Sequence, residues 1–194
     1  ELSEPAASDL VLAAHMNLNV LIAGPQGTGK TTWAKLLHAL TPEPDLSDIY
    51  AREAHFGDQA AQLPWRPLEQ PHHSASPQAM IGGGNPVEAG LITRAHGGIL
   101  IMDEFLQFHP EVLESLREPV ETGHVDIARR GSRERFPARF QLIGTTNLCP
   151  CGKLNPMGLG RSCSYSLIRC RSTLSRMSGP LLDRFDFLSL SPTP

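Results

Sequence analysis

No stretch of these 194 residues is apolar over the roughly 18–20 positions that a membrane-spanning helix needs, so no membrane partner is expected. The chain does not open with Met or with a basic-then-apolar leader. It reads as a segment of a longer protein, with the cytoplasm as the expected compartment. Cysteine is scarce: four residues, which argues against a secreted disulfide scaffold. The C-x₂-C and H-E-x-x-H metal signatures are absent. Residues 148–178, read as a Cys-containing loop for want of periodicity, have no acid, and Arg129 to Leu182 holds ten Lys/Arg against the single acid Glu134. The net charge of −3 conceals that segregation. It points to a polyanionic partner or to complementary neighbouring subunits; a basic, solvated surface is the plainer alternative. Apolar content is modest at 40%, and seventeen Pro and seventeen Gly indicate long loops or insertions in one α/β domain spanning 1–194.

What is present is a phosphate-binding loop. Residues 24–32 read Gly24-Pro25-Gln26-Gly27-Thr28-Gly29-Lys30-Thr31-Thr32, matching G-x-x-x-x-G-K-[ST]. The glycines let successive backbone N–H groups turn inward toward phosphate oxygens. Lys30 is placed for the β- and γ-phosphates, and the Thr31 hydroxyl for Mg²⁺. Val20–Ala23 before the loop predicts a buried strand. Thr32–Leu40 after it predicts a helix whose N-terminus faces the phosphates.

A second motif, Gly98-Ile99-Leu100-Ile101-Met102-Asp103-Glu104, has the unbroken apolar character of a central parallel strand ending in two acids. Asp103 is suited to the Mg²⁺ shell and Glu104 to polarising the attacking water. The plainer alternative makes both acids caps of a helix over 110–121. A third strand, Phe140 to Thr146, ends in Asn147, whose amide suits orienting the water beside the γ-phosphate. ATP and Mg²⁺ are therefore the expected ligands.

Between these motifs the pattern is less regular. An amphipathic helix is predicted near Ser8–Met16. Residues 64–98 carry five Pro and six Gly, which excludes one long element. They read as an insertion with a short helix at Ser76–Ile81, a flexible Gly82-Gly83-Gly84 turn and a second helix at Val87–Ala95. Residues 121–139 read as a β-hairpin: His124–Ala128 alternates, Arg129–Arg133 turns, Glu134–Ala138 returns. Five Arg within Arg129–Arg139 make it the candidate for a nucleic-acid backbone, through Arg129, Arg130, Arg133 and Arg135. The absence of aromatics near its tip fits sequence-independent contact, not base stacking. Residues 178–187 predict a helical turn and a last strand.

Together these motifs resemble the AAA+ ATPases of the magnesium-chelatase type, most closely the chelatase-like competence (ComM-type) proteins, which are branch-migration helicases. The resemblance covers about 17–190. Its most specific marks are PHHSAS at 71–76, GGG at 82–84 and CPCG at 149–152, beside GGILIMDEF, VLESLREPVETGHVDIAR, PARFQLIGTTNLCPCG and SGPLLDRFD. It implies a P-loop AAA+ core: a central parallel sheet flanked by helices, a helix-2 insertion and a pre-sensor-1 hairpin. It implies a ring, usually a hexamer, with both insertions facing a central pore. Glu104, Asn147 and Arg184 then become the catalytic set, with Arg184 as a finger reaching a neighbour's ATP. Such a finger accelerates turnover by roughly 10³–10⁵. Without the resemblance, Arg184 is a surface arginine between Asp183 and Asp186.

Fuller proteins of that type carry a helical lid with a sensor-2 arginine and a further N-terminal domain. This chain stops at Pro194, ahead of a lid, so turnover is expected to need that lid and an oligomer. Asn147-Leu148 replaces the usual Asn-Pro. Cys149, Cys151, Cys163 and Cys170 are spaced C-x-C-x₁₁-C-x₆-C; a zinc site, unbonded thiols and disulfides all remain open. His72 and His73 read as insertion-loop residues. The expected function is a DNA motor in recombination or transformation. A metal-chelatase motor subunit and a MoxR-like protein-remodelling ATPase are the alternatives.

Overall fold

Short apolar runs bounded by Gly, Pro and polar residues set the strands, and capped segments between them set the helices. A computed structural model describes residues 4–129, 132–154, 164–176 and 179–190. The order is α1 (Glu4–His15), β1 (Val20–Ala23), α2 (Lys30–Leu40), α3 (Leu46–Glu53), β2 (Leu68–Glu69), α4 (Pro77–Ile81), β3 (Gly82–Gly83), β4 (Glu88–Ala89) and α5 (Leu91–Arg94). There follow β5 (Ile99–Met102), α6 (Pro110–Ser115), α7 (Arg117–Thr122), β6 (His124–Arg129), β7 (Ser132–Pro137), β8 (Gln141–Thr146), α8 (Leu167–Ser175), α9 (Gly179–Leu182) and β9 (Phe187–Leu190). A five-stranded sheet runs β2-β5-β8-β1-β9, with β1 parallel to both β8 and β9 and β2 parallel to β5.

The chain divides into two compact units. The first comprises Glu1–Thr41, Met102–Gln107 and Ile143–Pro194. Here β1 is buried along its whole length because every side chain in VLIA is apolar. Val20↔Ile143 and Val20↔Phe187 set its register, and α1 packs on α2. Gly144 faces crowded space: a Cβ there would lie 2.9 Å from Leu21 Cδ1 and 3.0 Å from Phe185 Cζ. Phe185 in turn meets Phe105 edge-on, centroids 5.1 Å apart.

The second unit comprises Pro42–Ile101 and Phe108–Leu142. Asp45 caps α3 by accepting from the Ser47 N–H, and Ser76 caps α4 by accepting from the Ala79 N–H, with Pro77 at the first turn. The β6–β7 hairpin pairs His124↔Pro137 through Arg129↔Ser132. Val125, Ile127 and Phe136 bury one of its faces; Asp126 lies on the other, opposite Arg135.

Five expectations change. Glu88–Ala89 pairs with Gly82–Gly83 as a strand, so the helix expected over Val87–Ala95 shrinks to α5. The Gly82–Gly84 segment is an ordered strand and turn with φ of 110°, 147° and 103°, where Gly90 comes too close to Gly82 for a Cβ on either. The helix over 110–121 breaks at Leu116 into α6 and α7, because Pro119 has no N–H for the Ser115 carbonyl. Residues 148–178 contain a helix, α8, and strand pairing in the hairpin reaches Arg129 and Ser132, closer to the tip than the sequence suggested.

Candidate active site

The phosphate-binding loop joins the buried strand β1 to α2, which begins at Lys30, two residues earlier than the pattern indicated. Gly29 makes that entry, with φ of 76° at the helix N-cap, and Gly27 has φ of 82°. Lys30 is 9% exposed and spends its three ammonium hydrogens inside the protein. It donates to the Gly24 carbonyl (3.2 Å), the Pro25 carbonyl (2.5 Å) and Asn147 Oδ1 (3.0 Å). Burial pulls the Lys30 pKa below the ordinary lysine value, while the Asp103 and Glu104 carboxylates oppose that shift. Thr28 Oγ1 donates to the Pro25 carbonyl, tightening the loop.

The acids stand at the end of β5. Thr31 Oγ1 donates to Asp103 at 3.0 and 3.1 Å, so hydroxyl and carboxylate face one point. Thr145, on β8, was not anticipated. Its hydroxyl donates to Asp103 and accepts the Glu104 backbone N–H at 3.1 Å, tying both acids to the strand that ends in Asn147. Glu104 has φ of 54°, an uncommon value for a side-chain-bearing residue. The Gln107 N–H donating to its carbonyl closes a 3₁₀ turn over Phe105–Gln107. Gln26, Gly27, Gly29, Lys30, Thr31 and Thr32 line a cavity of about 350 Å³ with Asp103, Glu104, Thr145, Thr146 and Asn147. Hard oxygen donors from Thr31 and Asp103 fit Mg²⁺, and the loop N–H groups and Lys30 fit a triphosphate.

Other expected residues lie apart from this cavity. Arg184, between α9 and β9, is 6% exposed, so it is not the surface arginine its acidic neighbours suggested. Arg133 and Arg135 are exposed at 68% and 62%, yet both donate to Asp126, at 2.6 Å and at 2.9 and 3.0 Å. The two guanidiniums hold the Asp126 carboxyl well below the usual carboxylate range. Arg129 closes β6; Arg130 and Cys163 lie outside the described residues. The Cys149, Cys151 and Cys170 sulfurs lie within 4.8 Å of one another. His72 and His73 stack at 4.0 Å in the insertion, and neither belongs to a metal-capable group among the described residues.

Residues 3–192 match the family model described as "Magnesium chelatase, subunit ChlI". The chain belongs to this family. An uncharacterized protein YifB of Escherichia coli is 38% identical over 98% of this chain and 38% of its own length. The competence protein ComM of Haemophilus influenzae is 40% identical over 91% and 35%. The magnesium-chelatase 38 kDa subunit of Rhodobacter capsulatus is 28% identical over 66% and 42%. The chelatase-family chain thus spans somewhat over a third of the length of the first two relatives. Its fold is that of NtrX from Brucella abortus, with a TM-score of 0.61 at 17% identity over 97% of this chain and 36% of that one. Fold and family together make the chain a ComM-type, ATP-binding AAA+ core of the magnesium-chelatase kind. No described helix is long and apolar enough to cross a membrane.

Proposed function

We propose that this chain is the ATP-hydrolysing core of a DNA motor that works as a ring, expected to be hexameric, in the cytoplasm. The observation that carries the catalytic part is two part-buried hydrogen-bonded groups lining one cavity: Lys30 with Asn147, and Asp103 with the Thr31 and Thr145 hydroxyls, the latter also holding the Glu104 backbone. ATP binds along residues 24–32. Lys30 exchanges loop carbonyls for phosphate oxygens, and α2 directs its N-terminus at the triphosphate. Thr31 and Asp103 hold Mg²⁺, which supplies charge neutralisation at the phosphates. Glu104 takes the proton of the attacking water, and Asn147 orients that water. Arg184 serves a neighbouring subunit's ATP; buried in its own chain, it must be presented by movement of the segment before β9.

The DNA part rests on likeness to the competence protein ComM and on the hairpin, whose arginines stand in a chain segment with one acid. A second reading, a chelatase motor subunit acting through a partner on a porphyrin, is favoured by the Rhodobacter relative. The Cys149–Cys151–Cys170 group is suited to zinc. The deciding experiment measures ATP turnover by the full-length protein with branched, single-stranded or no DNA. Stimulation that disappears in an Arg129→Ala, Arg130→Ala, Arg133→Ala triple variant, with weaker DNA binding and a shallower salt slope, supports the motor. Basal turnover indifferent to every DNA sinks it in favour of the chelatase reading.

A further inference from the structure

The three cysteine sulfurs sit on two segments. Cys149 and Cys151 flank the turn that follows Asn147, and Cys170 lies in the first turns of α8. Cys149 Sγ is 3.0 Å from Cys151 Sγ and accepts the Leu154 N–H at 3.3 Å. Tetrahedral zinc, with bonds near 2.3 Å, sets its sulfurs about 3.8 Å apart. Mutual distances within 4.8 Å meet that spacing with small adjustments.

The same turn touches the phosphate-binding loop. The Gln26 N–H donates to the Gly152 carbonyl at 2.6 Å, and the Gly152 N–H donates to the Cys149 carbonyl at 3.0 Å. Gly152 has φ of 69°, and a Cβ on it would lie 2.8 Å from Gln26 Cβ. Cys149 and Pro150 also line, with Glu104, Asn147 and Arg176, a second cavity of about 320 Å³. Cys151 is therefore one residue from Gly152, the loop's hydrogen-bond partner, and Cys149 two residues from Asn147.

We propose that a thiolate-bound zinc ion at Cys149, Cys151 and Cys170 clamps the turn 149–152 against Gln26, so that metal loading and nucleotide binding are coupled. This rests on the reading of residues 24–32 as the ATP site. Zinc binding takes the three thiol protons to solvent and fixes α8 to the turn. The turn then holds the Gln26 N–H through Gly152. Loss of the metal releases the loop tip and lowers nucleotide affinity. By linkage, bound nucleotide must tighten zinc by the same factor.

The test uses the whole chain, with metal content by elemental analysis and binding of a fluorescent ATP analogue with Mg²⁺. Expected are one zinc per chain, its loss in Cys149→Ser and Cys170→Ser, and nucleotide Kd weakened about 5- to 20-fold on zinc removal, within the usual range of coupling between sites. The zinc Kd, measured at equilibrium against a competing chromogenic chelator, should tighten by a matching factor when nucleotide is present. Gly152→Ala should keep zinc yet bind nucleotide as weakly as the zinc-free chain, separating the clamp from general unfolding. A chain without stoichiometric zinc, or with its cysteines paired by oxidation, overturns the proposal. So does equal nucleotide affinity with and without zinc, while the ATP reading survives that result. Failure of the zinc-loaded chain to bind nucleotide at all removes the ATP reading and the coupling with it.

Discussion

The nucleotide cavity and the hairpin both consist of charged side chains held by hydrogen bonds, but they are built oppositely. In the cavity, Lys30 is buried and Asp103 takes two hydroxyl donors, all fixed on the first turn of α2 or at the ends of the buried strands β5 and β8. In the hairpin, one buried apolar face positions a charged face where two mostly exposed guanidiniums share Asp126. Low dielectric and rigid anchoring make each cavity contact consequential, whereas solvent screens the hairpin pairs. Chemistry needs the first arrangement. The second suits the gliding contact with a polyanion proposed above.

The sharpest way to break this contrast is Glu104→Gln. The amide keeps the Glu104 backbone bond to Thr145 but cannot accept a proton, so turnover should fall by roughly 10²–10⁴ with nucleotide affinity retained. Steady-state kinetics beside equilibrium binding checks it; lost binding would show that the residue holds nucleotide instead. Thr145→Val comes next. It removes the donor to Asp103 and the acceptor for Glu104 together, and should cost about 10- to 100-fold in activity with a raised Mg²⁺ requirement, as outer partners of a metal ligand do. An unchanged Mg²⁺ titration would place Thr145 outside the site's support.

A smaller effect concerns the second unit's interior, where His96 Nδ1 accepts the Arg139 N–H at 2.9 Å and His96 Nε2 lies 3.4 Å from Asp48. Burial depresses the His96 pKa; Asp48 opposes this and Arg139 adds to it. The unfolded imidazole therefore takes a proton first as pH falls. Stability should be full above the ordinary imidazole pKa of about 6.5 and decline from there toward the folded value. Urea titrations at stepped pH check this, and His96→Gln should flatten the decline. The smallest effect is expected for Asp126→Asn. It frees Arg133 and Arg135, so duplex DNA should bind more tightly with a steeper salt slope, at little change in stability. In the parent, the Asp126 contribution is present above the unfolded carboxylate pKa and is lost as pH falls through its lower folded value. Weaker DNA binding by the Asn variant would mean that Asp126 orients the arginines for contact.

These two regions also differ in how they could be read from sequence. The bounds of β1 and β5 were legible because uninterrupted apolar runs end at Gly24 and Asp103. The hairpin was legible because alternation is local. Thr145 was not, since its importance arises from a neighbouring strand that no local pattern announces; the Thr-Thr-Asn strand end was the available signal. The β3–β4 pair escaped because Gly82–Gly83 and Glu88–Ala89 are too short to show alternation. Arg184 misled because flanking acids suggest solvent, while Phe185 beside it packs on Phe105.

Glu104 carries one further consequence. A left-handed backbone costs a residue with a Cβ about 1–2 kcal/mol, and glycine or asparagine would occupy that position more comfortably. The fold thus keeps a carboxylate where local preference disfavours it, and the tight turn over Phe105–Gln107 aims it. Selection for stability alone would erode this position first, so a stabilised, silent ATPase is one substitution away.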